Sequence, residues 1–408
     1  MRVLSFSSCF PSSVDAFSGV FVLRRLRALA ELVPLEVVHP IAHFPGYQGG
    51  TRRPPCDVEQ IEGLTVHHRL FLYIPMILKS LDGYLYARGI ESWFAKYLTS
   101  HEQPDLLDAH FMWPDGVGVS RLARRFHYPF VVTLRGTINP RLRKHLMRPQ
   151  MAGALRAADA VISVSRAMAD IAVALGARRE KVHVIPNGVD TSLFRPVPRE
   201  EARRLLALPS DVPLVVTVAN MLPAKGHHDL LEAAAALPAD VHLVFVGPAP
   251  NAAYLARLKA IVAQRGLTRR VHFMGKRSQQ EVAACLNAAD VHVLASYSEG
   301  CPNVVLESLA CGTPVVGTTV GGIPDIVTTG RNGLLVPPGN PSALTGALRA
   351  ALARQWSRKD LRQTVAHRSW KAVAEEVLAV FNTAARASQT ERQQPHAERP
   401  TSRPPPTP

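Results

Sequence analysis

Ser298–Val327 reads SEGCPNVVLESLACGTPVVGTTVGGIPDIV. The residues before it, DVHVLAS, form an apolar β-branched run, the pattern of a buried strand. YSEGCPN is rich in turn residues. VVLESLACG has helical spacing and ends at Gly312, a suitable residue for a helix C-terminus. Pro314–Val316 begins another strand. Strand, loop, helix, strand is the unit of a parallel α/β sheet. It places Glu299 in a loop at a strand's carboxyl end, where open α/β sheets bind ligands, and Glu307 on the helix that follows. Amides of Gly300, Cys301, Asn303 and Val304 near that helix start suit an anion. A carboxylate there accepts hydrogen bonds from paired hydroxyls, such as those of a ribose or hexose. Spacing alone leaves open a plainer reading, one acid at a helix start and one on the surface.

The same alternation runs outward in both directions. Val3–Phe6, Leu35–His39, Leu106–Ala109, Phe130–Leu134, Ala160–Val164 and Val182–Ile185 read as strands, as do Leu214–Val218, His242–Val246 and Val291–Leu294. Helical stretches such as GVFVLRRLRALAEL and HHDLLEAAAAL separate many of them. The turn Asn187-Gly188 and the prolines 196 and 198 mark a linker. With 408 residues, two domains are expected, 1–187 and 199–360. A terminal helix is expected over 361–385, and a disordered Pro-, Arg- and Gln-rich tail over 386–408.

Composition narrows the function classes. The five cysteines are scattered with no C-x-x-C pair, which argues for reduced thiols and against a disulfide frame or zinc site. No run of about 18 apolar residues is present, and the N-terminal apolar run is too short for a signal peptide, so a cytoplasmic location is expected. Net charge is +15. From Gly116 to Ala158 there is no acid, while Arg121, Arg124, Arg125, Arg135, Arg141, Arg143, Lys144, Arg148 and Arg156 fall in that window. An anionic partner fits: a phosphorylated substrate, or an anionic membrane leaflet met by segment 121–156. Nucleic acid fits least, since zinc-finger spacing and aromatic RNA-binding strands are absent from the sequence.

Glu299-x7-Glu307 with EGCPNVVLESLACGTPVVGT and VGGIPDIV resembles the signature of retaining glycosyltransferases of family 4, with the GT-B fold. The resemblance extends to about residue 380 through SGVFVLRRLRAL, DAHFMWPDGVGV, TLRGT, VISVSRAM, VHVIPNGVDTSLF, KGHHDLLEA, LVFVG, VHFMG and AADVHVLAS. It implies two Rossmann-like doubly wound domains facing across a cleft, with a C-terminal helix crossing back to the first. It implies that Glu307 binds the ribose of a nucleoside-diphosphate-sugar donor. Glu299 would hold hydroxyls of the transferred sugar, helped by the Gly300–Asn303 amides. Lys225 would pair with the diphosphate, and Gly19 would let backbone approach the phosphates. His110 would stand between donor and acceptor, and Arg135 and Gly136 would lie on the acceptor side. The reaction so implied needs no cofactor and no metal; the sequence has no D-x-D motif. The acceptor would be a glycan or a polyprenyl-diphosphate-linked glycan.

Two positions depart from the family pattern. Asn220 stands where most relatives carry an arginine before the lysine, leaving one cation fewer for the diphosphate. A backbone amide, Asn220 itself or another basic residue would have to compensate, with Lys276 and Arg277 as candidates. TLRGTINP lacks an aspartate that related loops often carry. Rival classes are a nucleotide-sugar epimerase of the same fold and a non-catalytic carbohydrate- or nucleic-acid-binding protein. A dehydrogenase lacks its G-x-G-x-x-G after the first strand.

Overall fold

The structure, a computed structural model, describes residues 1–44, 53–136 and 145–393. Its strands form two sheets. The first holds β1 (Val3–Phe6), β2 (Leu35–His43), β3 (Val58–Ile61), β4 (Leu64–Leu72), β5 (Leu106–His110), β6 (Phe130–Leu134), β7 (Ala160–Ser163) and β8 (Val182–Val184). Their spatial order is β3-β4-β2-β1-β5-β6-β7-β8, parallel except for β3. The second holds β9 (Leu214–Val218), β10 (His242–Val246), β11 (Val271–Gly275), β12 (Val291–Leu294), β13 (Val315–Thr318) and β14 (Gly333–Val336). Their order is β11-β10-β9-β12-β13-β14, all parallel. Each sheet therefore reverses its winding once, between β1 and β5 and between β9 and β12. Those two switch points are where an open α/β sheet leaves a crevice at its carboxyl edge.

β3, β4, β11 and β14 fall outside the strands expected from sequence. β4 carries His67, His68 and Arg69, which hide its pattern, although His67 and His68 are buried. The β3–β4 hairpin turns on Glu62-Gly63, both with positive φ (48° and 84°), a geometry usually signalled by Asn-Gly. β14 is four residues between glycine-containing turns.

The C-terminal region also differs. The expected single helix over 361–385 is two: Arg358–Gln363 and Trp370–Gln393. Residues 364–369 separate them, and the Ser369 hydroxyl accepts from the Ala372 amide at 3.2 Å as an N-cap. The long helix continues past 386, where a disordered tail is expected; residues 394–408 of that tail lie outside the described residues. Val373, Val377 and Phe381 of this helix share one buried core with Val22, Leu26 and Leu29 of the helix Val20–Ala30. The chain thus returns to pack on the first sheet's layer.

Candidate active site

β9 ends at Val218, and the chain then turns through Pro223–Lys225 into the helix His227–Ala235. Gly226 makes the approach possible: φ is 65°, and a Cβ would stand 1.9 Å from the Ala295 carbonyl oxygen. This brings Lys225 against the segment that leaves β12. Lys225 Nζ lies 2.6 Å from Glu299 Oε1, and the Ser296 hydroxyl donates to the same oxygen at 2.6 Å. The Glu299 side chain is largely buried and one of its oxygens accepts two hydrogen bonds, so its orientation is fixed.

The loop after Glu299 is held by glycines. A Cβ on Gly321 would meet the Glu299 carbonyl oxygen at 2.0 Å, and one on Gly322 the Gly300 carbonyl oxygen at 2.5 Å. Gly300 in turn faces the first domain, where a Cβ on Gly136 would meet its Cα at 3.3 Å. Beside this contact a cavity of about 230 Å³ is lined by Phe21, Arg135, Val164, Asn187, Gly300, Cys301 and Asn303. A second, of about 120 Å³, is lined by residues including Phe17, Phe21, Arg24, Asn303, Glu307 and Trp370. Phe21 and Asn303 border both, so the two spaces adjoin in the cleft.

Glu307 lies on the helix Asn303–Ala310, whose end is turned by Gly312 at φ 75°. Burial pushes its carboxyl up to about 7, against the pull of the Arg24 guanidinium. Arg24 also reaches Asp190 at 3.0 Å and bonds Gln279, tying the first domain to the linker and the second domain. Val304 is partly buried and packs against the second domain's core. Burial raises Cys301 to about 11, so it is a neutral thiol. Gly19 precedes the helix Val20–Ala30 with φ 64°, and a Cβ would stand 2.0 Å from the Cys9 carbonyl oxygen. Its glycine requirement is therefore already set by the Cys9 loop.

His110 ends β5 and is wholly buried. Arg135 Nε donates to its Nδ1 at 3.1 Å, and its Nε2 faces Asp108 at 2.9 Å and Ser5 at 3.1 Å. Burial pushes its pKa down to about 4, more than Asp108 raises it, so the ring is neutral with its proton on Nε2. Burial alone would raise Asp108, but His110, Arg25 and Ser5 hold it at about 2. Both ring nitrogens of His110 are thus spent inside the first domain. What they position is Arg135, which also donates through Nη1 to Asn187 Oδ1 at 3.0 Å. Asn187 continues to Asn303 Oδ1 at 2.7 Å. Arg135 Nη2 is buried with no hydrogen-bond partner, on a side chain that lines the larger cavity.

Of the residues singled out by sequence, Lys225, Glu299, Gly300, Cys301, Asn303, Glu307, Arg135 and Gly136 line one cleft or its immediate wall. Asn220 is exposed just after β9. Lys276 lies over the Phe17 ring at 3.2 Å and Arg277 bonds Glu281 at 3.0 Å. Arg141, Arg143 and Lys144 lie outside the described residues. Sequence reasoning missed Arg24, Asp108, Ser296 and Asn187; the last reads only as a turn residue.

A model for Glycosyltransferase Family 4 matches residues 18–193, and one for Glycosyl transferases group 1 matches 198–368. A Bacillus subtilis glycosyltransferase named for teichuronic acid biosynthesis, TuaC, is 30% identical over 364 residues, 85% of this chain and 88% of that one. The chain belongs to the family 4, group 1 glycosyltransferases. A D-inositol 3-phosphate glycosyltransferase of Acidothermus cellulolyticus is 34% identical over 221 residues, about half of each chain (51% and 49%). Sucrose-phosphate synthase of Thermosynechococcus elongatus superposes with a TM-score of 0.71 at 25% identity, over 96% of this chain and 98% of that one. HepE of Anabaena, solved with UDP-glucose, shares the fold with a TM-score of 0.66 at 21% identity, over 97% and 100%. As a family 4 glycosyltransferase with these two facing sheets, the chain has the GT-B fold.

Proposed function

We propose that this glycosyltransferase moves a hexose-type sugar from a nucleoside-diphosphate-sugar to a glycan or lipid-linked acceptor in cell-surface polysaccharide or glycolipid synthesis, with retention of configuration and without a metal. The observation that carries the reading is the Lys225–Glu299–Ser296 cluster at the second domain's switch point, facing Arg135 and Gly136 across the cleft. Departure of a nucleoside diphosphate builds negative charge on phosphate oxygens. Lys225 is a fixed cation where that charge would develop, the task a metal performs elsewhere. Lys225 is held by Glu299. A diphosphate would draw the ammonium away and leave the carboxylate, still oriented by Ser296, to accept from sugar hydroxyls. Glu307 would accept from the ribose. Arg135 offers a second cation: its unspent Nη2 stands in for the arginine that Asn220 replaces, and His110 fixes its direction. The names of relatives support the donor and product class, since TuaC is named for teichuronic acid biosynthesis and HepE is solved with UDP-glucose.

The test is transfer from a panel of nucleoside-diphosphate-sugars to a glycan acceptor in the presence of EDTA, with product anomer read by NMR. Retention and full activity in EDTA are expected, with Arg135→Met weakening nucleoside diphosphate binding about tenfold or more. Inversion, or loss of activity in EDTA restored by a divalent ion, would overturn the reading. Interconversion of the donor sugar without acceptor would identify an epimerase instead.

A further inference from the structure

The segment between β4 and the helix Asp82–Ser100 exposes what a folded chain normally buries. Met76 is 90% exposed, Ile77 63% and Leu78 55%, three consecutive large apolar residues. Leu81, Tyr84 and, from a different part of the chain, Leu146 at 71% extend the surface. These are joined physically: Gln150, in the helix that follows Leu146, donates to the Ser80 carbonyl at 2.8 Å. Met76 and Leu78 both have positive φ, 64° and 51°, a costly conformation for such residues. Lys79 Nζ bonds the Ile74 carbonyl at 2.8 Å and lies 3.3 Å from the Tyr73 ring centroid, which holds the loop's base while its apolar tip faces outward.

The rim of this patch is basic. Arg121 lies 5.8 Å from the Tyr84 ring centroid, and Arg148 is two residues from Leu146. Among the described residues Arg121, Arg124 and Arg148 make no ion pair, while Asp82, next to Leu81, and Asp115, the acid nearest Arg121 and Arg124 in sequence, are buried. Apolar residues at the centre, tyrosines beside them and unpaired cations around are the composition of a surface that lies in a bilayer interface.

We propose that the 74–81 loop and Leu146 form a wedge that inserts into an anionic lipid surface, with Arg121, Arg124 and Arg148 on the headgroups. Met76, at 90%, is the most exposed large apolar side chain among the described residues, which suits insertion into lipid. The placement also serves the site. β4, β2, β1, β5 and β6 are parallel, so the wedge leaves the carboxyl end of β4 at the same edge where β5 and β6 deliver His110 and Arg135. Its root rests on the segment after His110, where a Cβ on Gly83 would meet Val117 at 2.6 Å. The cleft mouth of the first domain then faces the lipid. The inference stands on this surface and not on the transferase reading, and its test needs no activity.

Full-length protein is sedimented with phosphatidylcholine vesicles with and without phosphatidylglycerol. Binding to the anionic vesicles only, weakened by salt, is expected. The triple variant Met76→Asp, Ile77→Asp, Leu78→Asp should lose at least about tenfold in partitioning, while Leu205→Asp, at an exposed leucine elsewhere, should not. Ile77→Trp should show a blue-shifted emission with anionic vesicles alone, which reports insertion without weakening the wedge. Wild-type protein that ignores anionic vesicles, a triple variant that binds like wild type, or a dimer that the triple variant dissociates would each overturn the proposal.

Discussion

Glu307 shows how burial can make one side chain unfavourable for the fold. Its carboxyl is raised to about 7 because burial penalises the anion more than Arg24 rewards it. A carboxyl with a higher pKa in the fold than in the unfolded chain holds its proton more tightly when folded. Stability is therefore greatest below the ordinary glutamate range and is lost as pH rises through about 7. Glu307→Gln should leave stability near pH 4 unchanged and raise it at pH 8 by on the order of 2 kcal/mol, read from denaturant unfolding at both values. If Glu307 accepts from the ribose as proposed, the same variant should bind nucleoside diphosphates about tenfold or more weakly at pH 8, where the carboxyl is charged. Gain of stability with loss of binding marks a residue kept for a ligand; unchanged binding would remove Glu307 from the donor site. At this scale the sequence was informative about identity and blind to partners. The two glutamates and Lys225 stand in a recognisable pattern, but nothing in the spacing of Ser5, Asp108, Asn187 and Arg24 announces that tertiary packing collects them around His110, Arg135 and Glu307.

At the scale of elements, the VGGIPDIV segment is the clearest link between local sequence and site geometry. Its two glycines lie against the Glu299–Gly300 backbone, and Gly322 also meets Ser165 of the first domain, where a Cβ would stand 3.1 Å from the serine Cβ. Asp325 accepts from the Arg166 backbone amide at 2.7 Å, at the start of the helix Arg166–Ala174. The segment thus sets the Glu299 loop from behind and touches the opposite domain. Gly322→Ala inserts a methyl 2.5 Å from a backbone oxygen that cannot rotate away, so the Glu299 loop must move. Transfer should fall at least about tenfold in kcat/KM, since misplacement of a binding loop by an ångström is costly. Far-UV circular dichroism should stay the same, with Tm lower by only about 2–4 °C. A variant with unchanged kcat/KM would show that the loop does not need this support. Strands with uniform β-branched runs were legible because both faces are buried. The β3–β4 hairpin was not, because β4 buries histidines that look like surface residues in one dimension.

For the whole molecule, the question is how two separately cored domains hold one cleft. The long helix Trp370–Gln393 answers part of it, since it follows the second domain in sequence yet completes the core of the first. Gly188 shows how closely the linker runs beneath it: a Cβ there would lie 2.9 Å from Trp370. The sequence indicated a terminal amphipathic helix whose apolar stripe by itself fits either domain; the family resemblance implied the first, and the packing on Val22, Leu26 and Leu29 puts it there. Phe381 is fully buried in that contact. Phe381→Ala should cost about 3–5 kcal/mol, and the loss should fall on the first domain because the cavity opens there. Calorimetry should then resolve two transitions where wild type shows closer ones. Nucleoside diphosphate distinguishes them, because Lys225 and Glu307 belong to the second domain and a ligand stabilises only the state that binds it. The upper transition should rise with ligand and the lower one much less. Equal displacement of both transitions by Phe381→Ala would mean that the domains unfold as one unit and that the crossover helix is no more the first domain's than the second's.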